Sequence, residues 1–252
     1  MTYRRVVLPV VLAGLMLGPV TPAAPAFAAP ADPDPGSVVV RYTFDGGRAS
    51  GIADESGNGH TLRLVAGSGG TVEPVPHRSG QALRFPAKCA AGQAKRSTCP
   101  HATLQSASSD ALNPGNRPFA FGATVLLAPS QTSSGQNILQ KGYSTASSQW
   151  KLQIDGDAGH PSCVLVDDRK PGIEIVRSSV SVADGHWHDI ECRRRGSALS
   201  VLVDGVDRGT QPIPAQLSVT NDFPLSVGGK GAYRDNDQFQ GLLDDVWAAN
   251  LS

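Results

Sequence analysis

Two alternating apolar runs between residues 184 and 207 are the strongest structural signal in the chain. They read HWHDIEC and ALSVLVD, and a short polar turn separates them. Because residues two apart in a strand share a face, His188, Ile190 and Cys192 are predicted to line one side of the first run. Asp204-Gly205 ends the second run and is typical of a tight hairpin turn, since glycine tolerates positive φ. The pattern therefore predicts two strands followed by a hairpin turn.

Short alternating runs like these recur along the chain, with turn-forming residues about every ten positions. The earliest run, VVVRYTF at 38–44, is rich in β-branched and aromatic residues. No stretch shows the period of a long amphipathic helix. This spacing favours an all-β fold, a two-sheet antiparallel β-sandwich. Further strands are predicted at 61–65, 80–85, 119–127, 137–142, 149–156, 163–166, 173–176, 223–229 and 239–247.

Five segments resemble, in the same order, motifs of the laminin G-like, concanavalin A-like sandwich family. The pair of strands described above resembles the family's W-H-x-V … V-D-G series. The other four segments are DESGNGH at 54–60, GQALRF at 80–85, PLSVGG at 224–229 and FQGLLDDV at 239–246. The resemblance covers residues 38–252 and implies one domain with the concanavalin A-like jelly roll.

The first 28 residues differ from the rest and are predicted to be a signal peptide. A basic start precedes an apolar run at 6–17, and Ala-Phe-Ala at 26–28 fits a cleavage site. The run is shorter than the roughly 20 residues that a membrane-spanning helix needs. Residues 29–37 combine prolines and acids and are predicted to be a linker. The mature protein is therefore expected to be secreted, with no membrane span.

The charge balance argues against two classes of partner. Without the two arginines of the signal peptide, the chain has 20 basic and 22 acidic residues, a formal net charge of −2. This balance offers no electrostatic footprint for nucleic acid or for an anionic membrane surface. The one basic run, at 193–195, alternates faces of a predicted strand and is interpreted as a solvated strand end. A monomer whose partner is a glycan or an extracellular protein is expected.

Four cysteines in an exported chain point to two disulfides, and three pairings are possible. We predict Cys89–Cys99, which closes a short loop. We also predict Cys163–Cys192, which would join two strands through inward-facing positions. Each bond is expected to add roughly 2–4 kcal/mol to the free energy of unfolding.

Catalytic patterns are absent from the sequence. Laminarinase-type hydrolases of the resembled scaffold carry three acids on one strand face, as E-x-D-x-x-E, because a retaining mechanism needs two carboxyl groups about 5 Å apart. The nearest acids here, at 155–157 and 167–168, include no glutamate and no third acid. A G-x-S-x-G nucleophile elbow is also missing. The protein is therefore predicted not to be an enzyme. A hydrolase or lyase with an unfamiliar acid arrangement and a structural cell-envelope protein are the alternatives.

Two sets of polar residues could hold a metal ion. His186 and His188 share a strand face, but no third ligand is assignable, and they are interpreted as part of the strand start. The loop 54–60 begins like a calcium loop, yet position twelve is Val65 rather than the glutamate of an EF-hand. The resemblance instead implies one calcium ion between this loop and the closing strand. Its donors would be Asp45 or Asp54, Asn58, a backbone carbonyl near His60, and Asp244.

An Asx-type turn is the alternative interpretation of the same loop, with Asp54 capping backbone N–H groups.

Aromatic side chains near loops form the last candidate set, because the flat C–H faces of sugar rings stack on them. Tyr143, Trp150 and Tyr233 are predicted to contact a ligand. Trp187 and Trp247 lie inside predicted strands and are interpreted as core residues. The overall expectation is a secreted, non-catalytic binding module.

Overall fold

The structure is a computed structural model that describes residues 1, 37–46, 51–87, 89, 99–167, 169, 172–233 and 235–252. Apart from Met1, the predicted signal peptide lies outside the described residues, as do positions 29–36 of the predicted linker and Asp168. Secretion therefore stays a prediction. Within the described ranges, no helix is long and apolar enough to cross a membrane.

The described residues form fifteen β-strands and two short 3₁₀ helices, Asp110–Leu112 and Pro129–Gln131. The strands are β1 Ser37–Tyr42, β2 Arg63–Gly67, β3 Glu73–His77, β4 Gly80–Arg84, β5 His101–Ser106, β6 Phe119–Leu126, β7 Gly135–Gly142, β8 Gln149–Asp155, β9 His160–Val166, β10 Ile173–Arg177, β11 Trp187–Arg195, β12 Ala198–Val203, β13 Val206–Pro212, β14 Leu225–Val227 and β15 Leu242–Asn250. The sequence pattern misses β3, β5 and β13. β3 contains two prolines and lies at a sheet edge, where a missing N–H costs no interior ladder bond.

The strands form two antiparallel sheets, which confirms the predicted β-sandwich. One sheet has eight strands in the order β13-β12-β11-β6-β15-β4-β3, with β1 also paired to β15. The other has seven strands in the order β10-β9-β8-β7-β14-β5-β2. Apolar side chains that point toward the opposite sheet form the core. We call the other side of each sheet its outer face.

The predicted strand pair is present as β11 and β12. Ile190 lies opposite Val203, and both are buried, as the alternation requires. Asp204 and Gly205 then form the tight turn to β13, with φ values of 53° and 74°. Two consecutive positive φ values match the twist of the flanking strands. Both the alternation and the turn are confirmed.

Both predicted disulfides are present. The Cα atoms of Cys163 in β9 and Cys192 in β11 are 5.5 Å apart, and both residues are fully buried. This bond therefore joins the two sheets through the core. Cys89 and Cys99, with Cα atoms 6.1 Å apart, close the shorter loop.

A bulge in β15 changes which side chains face the core. The pairing with β6 shifts register between Asp244 and Trp247, and Asp245 lies there with a φ of 43°. Strict alternation from the buried Leu243 would put Trp247 inside. Instead Val246 is fully buried and Trp247 lies on the outer face, because a bulge adds one residue and reverses the alternation beyond it. The interpretation of Trp247 as a core residue is wrong.

Candidate functional site

Two of the three predicted aromatic contacts, Tyr143 and Tyr233, lie next to each other. The Tyr143 hydroxyl donates to the Lys230 carbonyl at 2.7 Å, and its ring packs edge-on against Phe223 with centroids 4.9 Å apart. Tyr233 belongs to the loop 228–241 between β14 and β15 and is 45% exposed. Burial, and then the adjoining Tyr143, raise the pKa of the Tyr233 phenol. The structure therefore brings two predicted ligand contacts together at the surface.

Hydrogen bonds hold the described part of the loop 228–241 against the outer face of the seven-stranded sheet. The Thr103 hydroxyl of β5 donates to the Gly231 carbonyl at 3.3 Å. The Asn137 N–H of β7 donates to the Asp237 carbonyl at 2.7 Å. Anchoring to two different strands limits the positions that the loop can adopt, which favours a preorganised ligand contact.

Two lysines and one aspartate complete this patch. Lys151 Nζ lies 3.7 Å from a carboxylate oxygen of Asp237, and Lys230 pairs with the same oxygen. Burial lowers the pKa of Lys151, and the charge of Asp237 opposes that shift. Two ammonium groups that share one carboxylate retain N–H donors for the oxygens of a ligand. We call Tyr143, Lys151, Lys230, Tyr233 and Asp237 the tyrosine site.

Two buried amide oxygens lie on the same sheet face as this site. Gln140 pairs in register with Lys151, and Asn137 lies earlier in the same strand. Among the described residues, neither Asn137 Oδ1 nor Gln140 Oε1 has a hydrogen-bond partner. An unpartnered buried acceptor costs about 1–3 kcal/mol. Both oxygens are buried, so they are unpaired acceptors beneath the surface of the sheet.

Trp150 lies in the core and cannot reach a ligand at the surface. It is 0% exposed, and its ring centroid is 4.8 Å from that of Phe121 and 5.4 Å from that of Phe119. Its indole N–H donates to the Leu112 carbonyl at 3.1 Å. The alternation of β8 points it inward together with Leu152. The prediction that Trp150 contacts a ligand is wrong.

Asp54 caps the opening loop with hydrogen bonds. Its Oδ1 accepts from the backbone N–H groups of Arg41 at 3.1 Å and Ser56 at 3.0 Å. Its Oδ2 accepts from the His60 N–H at 3.1 Å and lies 3.1 Å from His60 Nδ1. Burial acts to raise the pKa of Asp54, but the hydrogen bonds outweigh burial and lower it. This arrangement matches the Asx-type turn.

The other predicted calcium donors also have protein partners. These are the Gln81 N–H for Asp45, the Val39 carbonyl for the Asn58 amide, the Tyr42 hydroxyl for the His60 carbonyl, and the His77 ring for Asp244. In the described ranges, no group of three or more His, Cys, Asp or Glu could hold a metal ion. A calcium ion would have to displace the donors on Asp54, so these residues do not fit the site that the resemblance implies. Calcium binding stays a prediction, which melting curves with and without EDTA test.

His188, in β11, connects the loop before that strand to the turn after β12. Its Nδ1 lies 2.8 Å from Asp204 Oδ2, and its Nε2 lies 3.1 Å from Asp184 Oδ1. Burial acts to lower the pKa of His188, but the hydrogen bonds and charges of the two aspartates outweigh it and raise the pKa. The side chain of His186, by contrast, is 71% exposed. These contacts support the interpretation that the motif marks the start of a strand.

Trp187, like Trp247, lies on the outer face of the eight-stranded sheet, and both indoles are partly exposed. The sequence itself indicates that Trp187 faces outward, because Trp187 lies an odd number of residues from the buried Ile190 and Cys192. The interpretation of Trp187 as a core residue is wrong for this reason. No local pattern indicates that Trp247 faces outward, since its orientation depends on the bulge in β15.

A family model described as the concanavalin A-like lectin/glucanases superfamily matches residues 103–251. The fold also resembles solved structures. Domain 4 of AbnA, a GH43 extracellular arabinanase from Geobacillus stearothermophilus, in complex with arabinotriose, superposes with a TM-score of 0.62 at 14% identity. The alignment covers 85% of this chain and 93% of that domain.

Two binding-domain structures are similar over about half of their length. The binding domain of Paraclostridial Mosquitocidal Protein 1 has a TM-score of 0.61 at 13% identity. The binding domain of botulinum neurotoxin DC in complex with SialylT has a TM-score of 0.59 at 9% identity. In both cases the alignment covers 86% of this chain and 49% of the solved binding-domain chain. At these identities the likeness establishes the fold alone.

Proposed function

The chain belongs to the concanavalin A-like lectin/glucanase superfamily, and on this basis we propose that it is a secreted, non-catalytic module that binds a glycan through the tyrosine site. The two disulfides support export, because such bonds persist in oxidising compartments. The fold supplies a rigid scaffold, and the ligand specificity comes from the loops that it carries.

The observation that carries this proposal is the convergence of Tyr143 and Tyr233 beside two lysines. The aromatic rings offer apolar surface to a sugar face, while Lys151 and Lys230 offer N–H donors to its oxygens. Polar groups placed precisely beside aromatic surface are a general property of ligand sites. The loop 228–241 holds both features in one place.

The solved structures of similar fold support the same proposal. One of them contains arabinotriose, and the alignment with this chain covers 93% of that domain. Another, the neurotoxin binding domain, is in complex with SialylT. We extend sugar recognition from those proteins to this one as part of the proposal.

Binding without turnover agrees with the contacts of the candidate acids. Asp155 Oδ2 accepts from the Ser162 hydroxyl at 2.6 Å and from Arg177 Nε at 3.1 Å. Asp167 Oδ2 accepts from the Ser218 N–H at 3.1 Å. These carboxylates hold neighbouring segments together, and a retaining pair would instead need two carboxyl groups facing one sugar.

A glycan array followed by titration calorimetry tests the proposal. Because exposed hydrogen bonds largely replace bonds to water, we expect a dissociation constant of about 0.1–1 mM, equivalent to about −4 to −5.5 kcal/mol. Tyr233→Ala should weaken binding at least about fivefold, since it removes the exposed ring. Tyr233→Phe, which keeps the ring, should bind nearly as the unmodified protein does.

Equal affinity of the Tyr233→Ala variant and the unmodified protein for every array hit would contradict the tyrosine site. The hydrolase alternative is checked with the same polysaccharides by measuring reducing ends. Release of reducing ends in proportion to protein concentration would favour the enzyme.

A further inference from the structure

Three neighbouring strands of the eight-stranded sheet, β11, β6 and β15, carry outward-facing side chains in matched rows. Asp189, Thr124 and Asp244 lie side by side in one row. Trp187 lies beyond one side of this row and Trp247 beyond the other. Their register places the two tryptophans four residues apart along β6 and two strands apart across it, which is roughly 16 Å. We call these five residues the tryptophan face.

The two indoles of this face have unused donors. Within the described part of the chain, neither Trp187 nor Trp247 makes a hydrogen bond through its indole N–H, whereas the indole of the buried Trp150 does. Both outer indoles are partly exposed. An indole combines a large apolar surface with one polar edge, which suits it to contacts with mixed-polarity ligands. Each can therefore stack on a ligand and donate to it.

A chain of contacts fixes the orientation of one indole. His77, at the end of β3, lies with its Nδ1 2.5 Å from Asp244 Oδ2 and stacks on the Trp187 ring at 3.9 Å with an interplanar angle of 18°. Arg78, the next residue, pairs with Asp245 at 3.2 Å. The tip of the β3–β4 hairpin thus reaches onto the tryptophan face. A ring held in place before binding loses less entropy when a ligand arrives.

The charges of this face indicate the kind of ligand. Glu191 is paired with Arg193 at 2.6 Å, and Asp244 is engaged by the His77 ring. Asp189 Oδ1 accepts from the Thr124 hydroxyl at 2.6 Å, and no cation pairs with this carboxylate among the described residues. An anionic ligand would meet the negative charge of Asp189, whereas a hydroxyl group could donate to it.

We propose that the tryptophan face is a second binding site, which takes an uncharged glycan chain and acts independently of the tyrosine site. Sugar rings stack on Trp247 and on the face of Trp187 that is turned away from His77, ring or hydroxyl oxygens accept from the indole N–H groups, and a hydroxyl donates to Asp189. The two sites lie on the outer faces of different sheets. One molecule can therefore hold two chains, or two segments of one polysaccharide, with a gain in avidity.

Native gels that contain a polysaccharide test this site in the full-length secreted protein carrying Tyr233→Ala. The uncharged probes are hydroxyethylcellulose, arabinan and mixed-linkage glucan, and carboxymethylcellulose is the anionic counterpart of the first. We expect retardation by at least one uncharged probe and none by carboxymethylcellulose. Adding Trp187→Ala or Trp247→Ala should weaken the interaction about tenfold or more, as expected for a central aromatic contact.

Conservative variants separate binding from folding. Asp189→Asn keeps the shape and the acceptor for Thr124 and should weaken binding severalfold. Glu191→Gln, on the same strand but already paired with Arg193, should leave binding unchanged. Thermal melting and near-ultraviolet circular dichroism check the fold, and Trp187→Phe replaces the alanine variant if that variant does not fold.

Three outcomes would overturn the proposal. They are no retardation by any uncharged probe, equal retardation by carboxymethylcellulose, or retardation of both tryptophan variants equal to that of the parent Tyr233→Ala protein. The tyrosine site is judged separately. If Tyr233→Ala leaves the glycan array unchanged, the proposed function of the tyrosine site fails, and the tryptophan variants still decide the second site.

Discussion

The tyrosine site and the tryptophan face use opposite ways to position aromatic rings. Tyr233 is carried by a loop that hydrogen bonds fasten to the seven-stranded sheet. Trp187 and Trp247 project directly from strands of the eight-stranded sheet. A loop can change its ring without disturbing the core, whereas a strand residue is fixed by its register. The two outer faces of this scaffold therefore carry aromatic rings in two ways, on a loop whose sequence can vary and on strands whose register is fixed by their neighbours.

The largest expected effect distinguishes the buried tryptophan from the outer ones. Trp150→Ala should lower the free energy of unfolding by about 3–5 kcal/mol, because it leaves a cavity between Phe119 and Phe121 and orphans the Leu112 carbonyl. Trp187→Ala should cost only about 1 kcal/mol, since its indole is partly exposed. Urea denaturation measures both. Equal losses would show that the tryptophan face belongs to the core.

The folded protein should become more stable as the pH rises, because Lys141 is buried in the seven-stranded sheet. Lys141 is fully buried in β7, where its ammonium donates to Asn113 Oδ1 at 2.9 Å and Asn221 Oδ1 at 3.1 Å. Burial lowers its pKa to about 8. Between about pH 8 and pH 10.5 the unfolded chain therefore binds more protons than the folded one, and the free energy of unfolding rises with pH by an amount on the order of 1–3 kcal/mol.

Lys141→Met provides the matched control for this effect. Urea denaturation of both proteins at several values between pH 7 and pH 10 should show the rise only where Lys141 is present. Identical slopes for the two proteins would refute the assignment.

The smallest expected change in stability comes from His188, which lies in β11 of the eight-stranded sheet. It has the opposite dependence on pH. Asp184 and Asp204 raise the pKa of His188, so its contribution to stability is complete below about pH 6.5 and is lost as the pH rises through the folded-state pKa. The two aspartates are half exposed, which limits the effect to about 1 kcal/mol or less. His188→Gln should remove this pH dependence in thermal melts. His186→Gln is the control and should retain it.

Much of the fold follows from local patterns, and less of the candidate site does. The alternation around Ile190 and Cys192 predicts β11 correctly, and the inward position of Cys192 leads to its disulfide with Cys163. The choice of Tyr143 and Tyr233 rests on their position near loops, but sequence spacing contains no hint that they adjoin. Their proximity arises because the loop 228–241 folds back onto strands that are more than 80 residues away in the chain.

Local patterns in the sequence predict twelve of the fifteen described strands, the turn at Asp204 and the sandwich architecture, because each depends on a two-residue period or on the chemistry of adjacent residues. Four cysteines allow three pairings, and the inward phase of Cys192 favours the pairing that is present. Which aromatic residues reach the surface depends instead on tertiary packing. Trp150 lies beside a loop and is nevertheless buried, whereas Trp247 lies in a strand and is turned outward by a single bulge. One inserted residue reverses the faces of a strand, and its position depends on the pairing between strands that are distant in sequence.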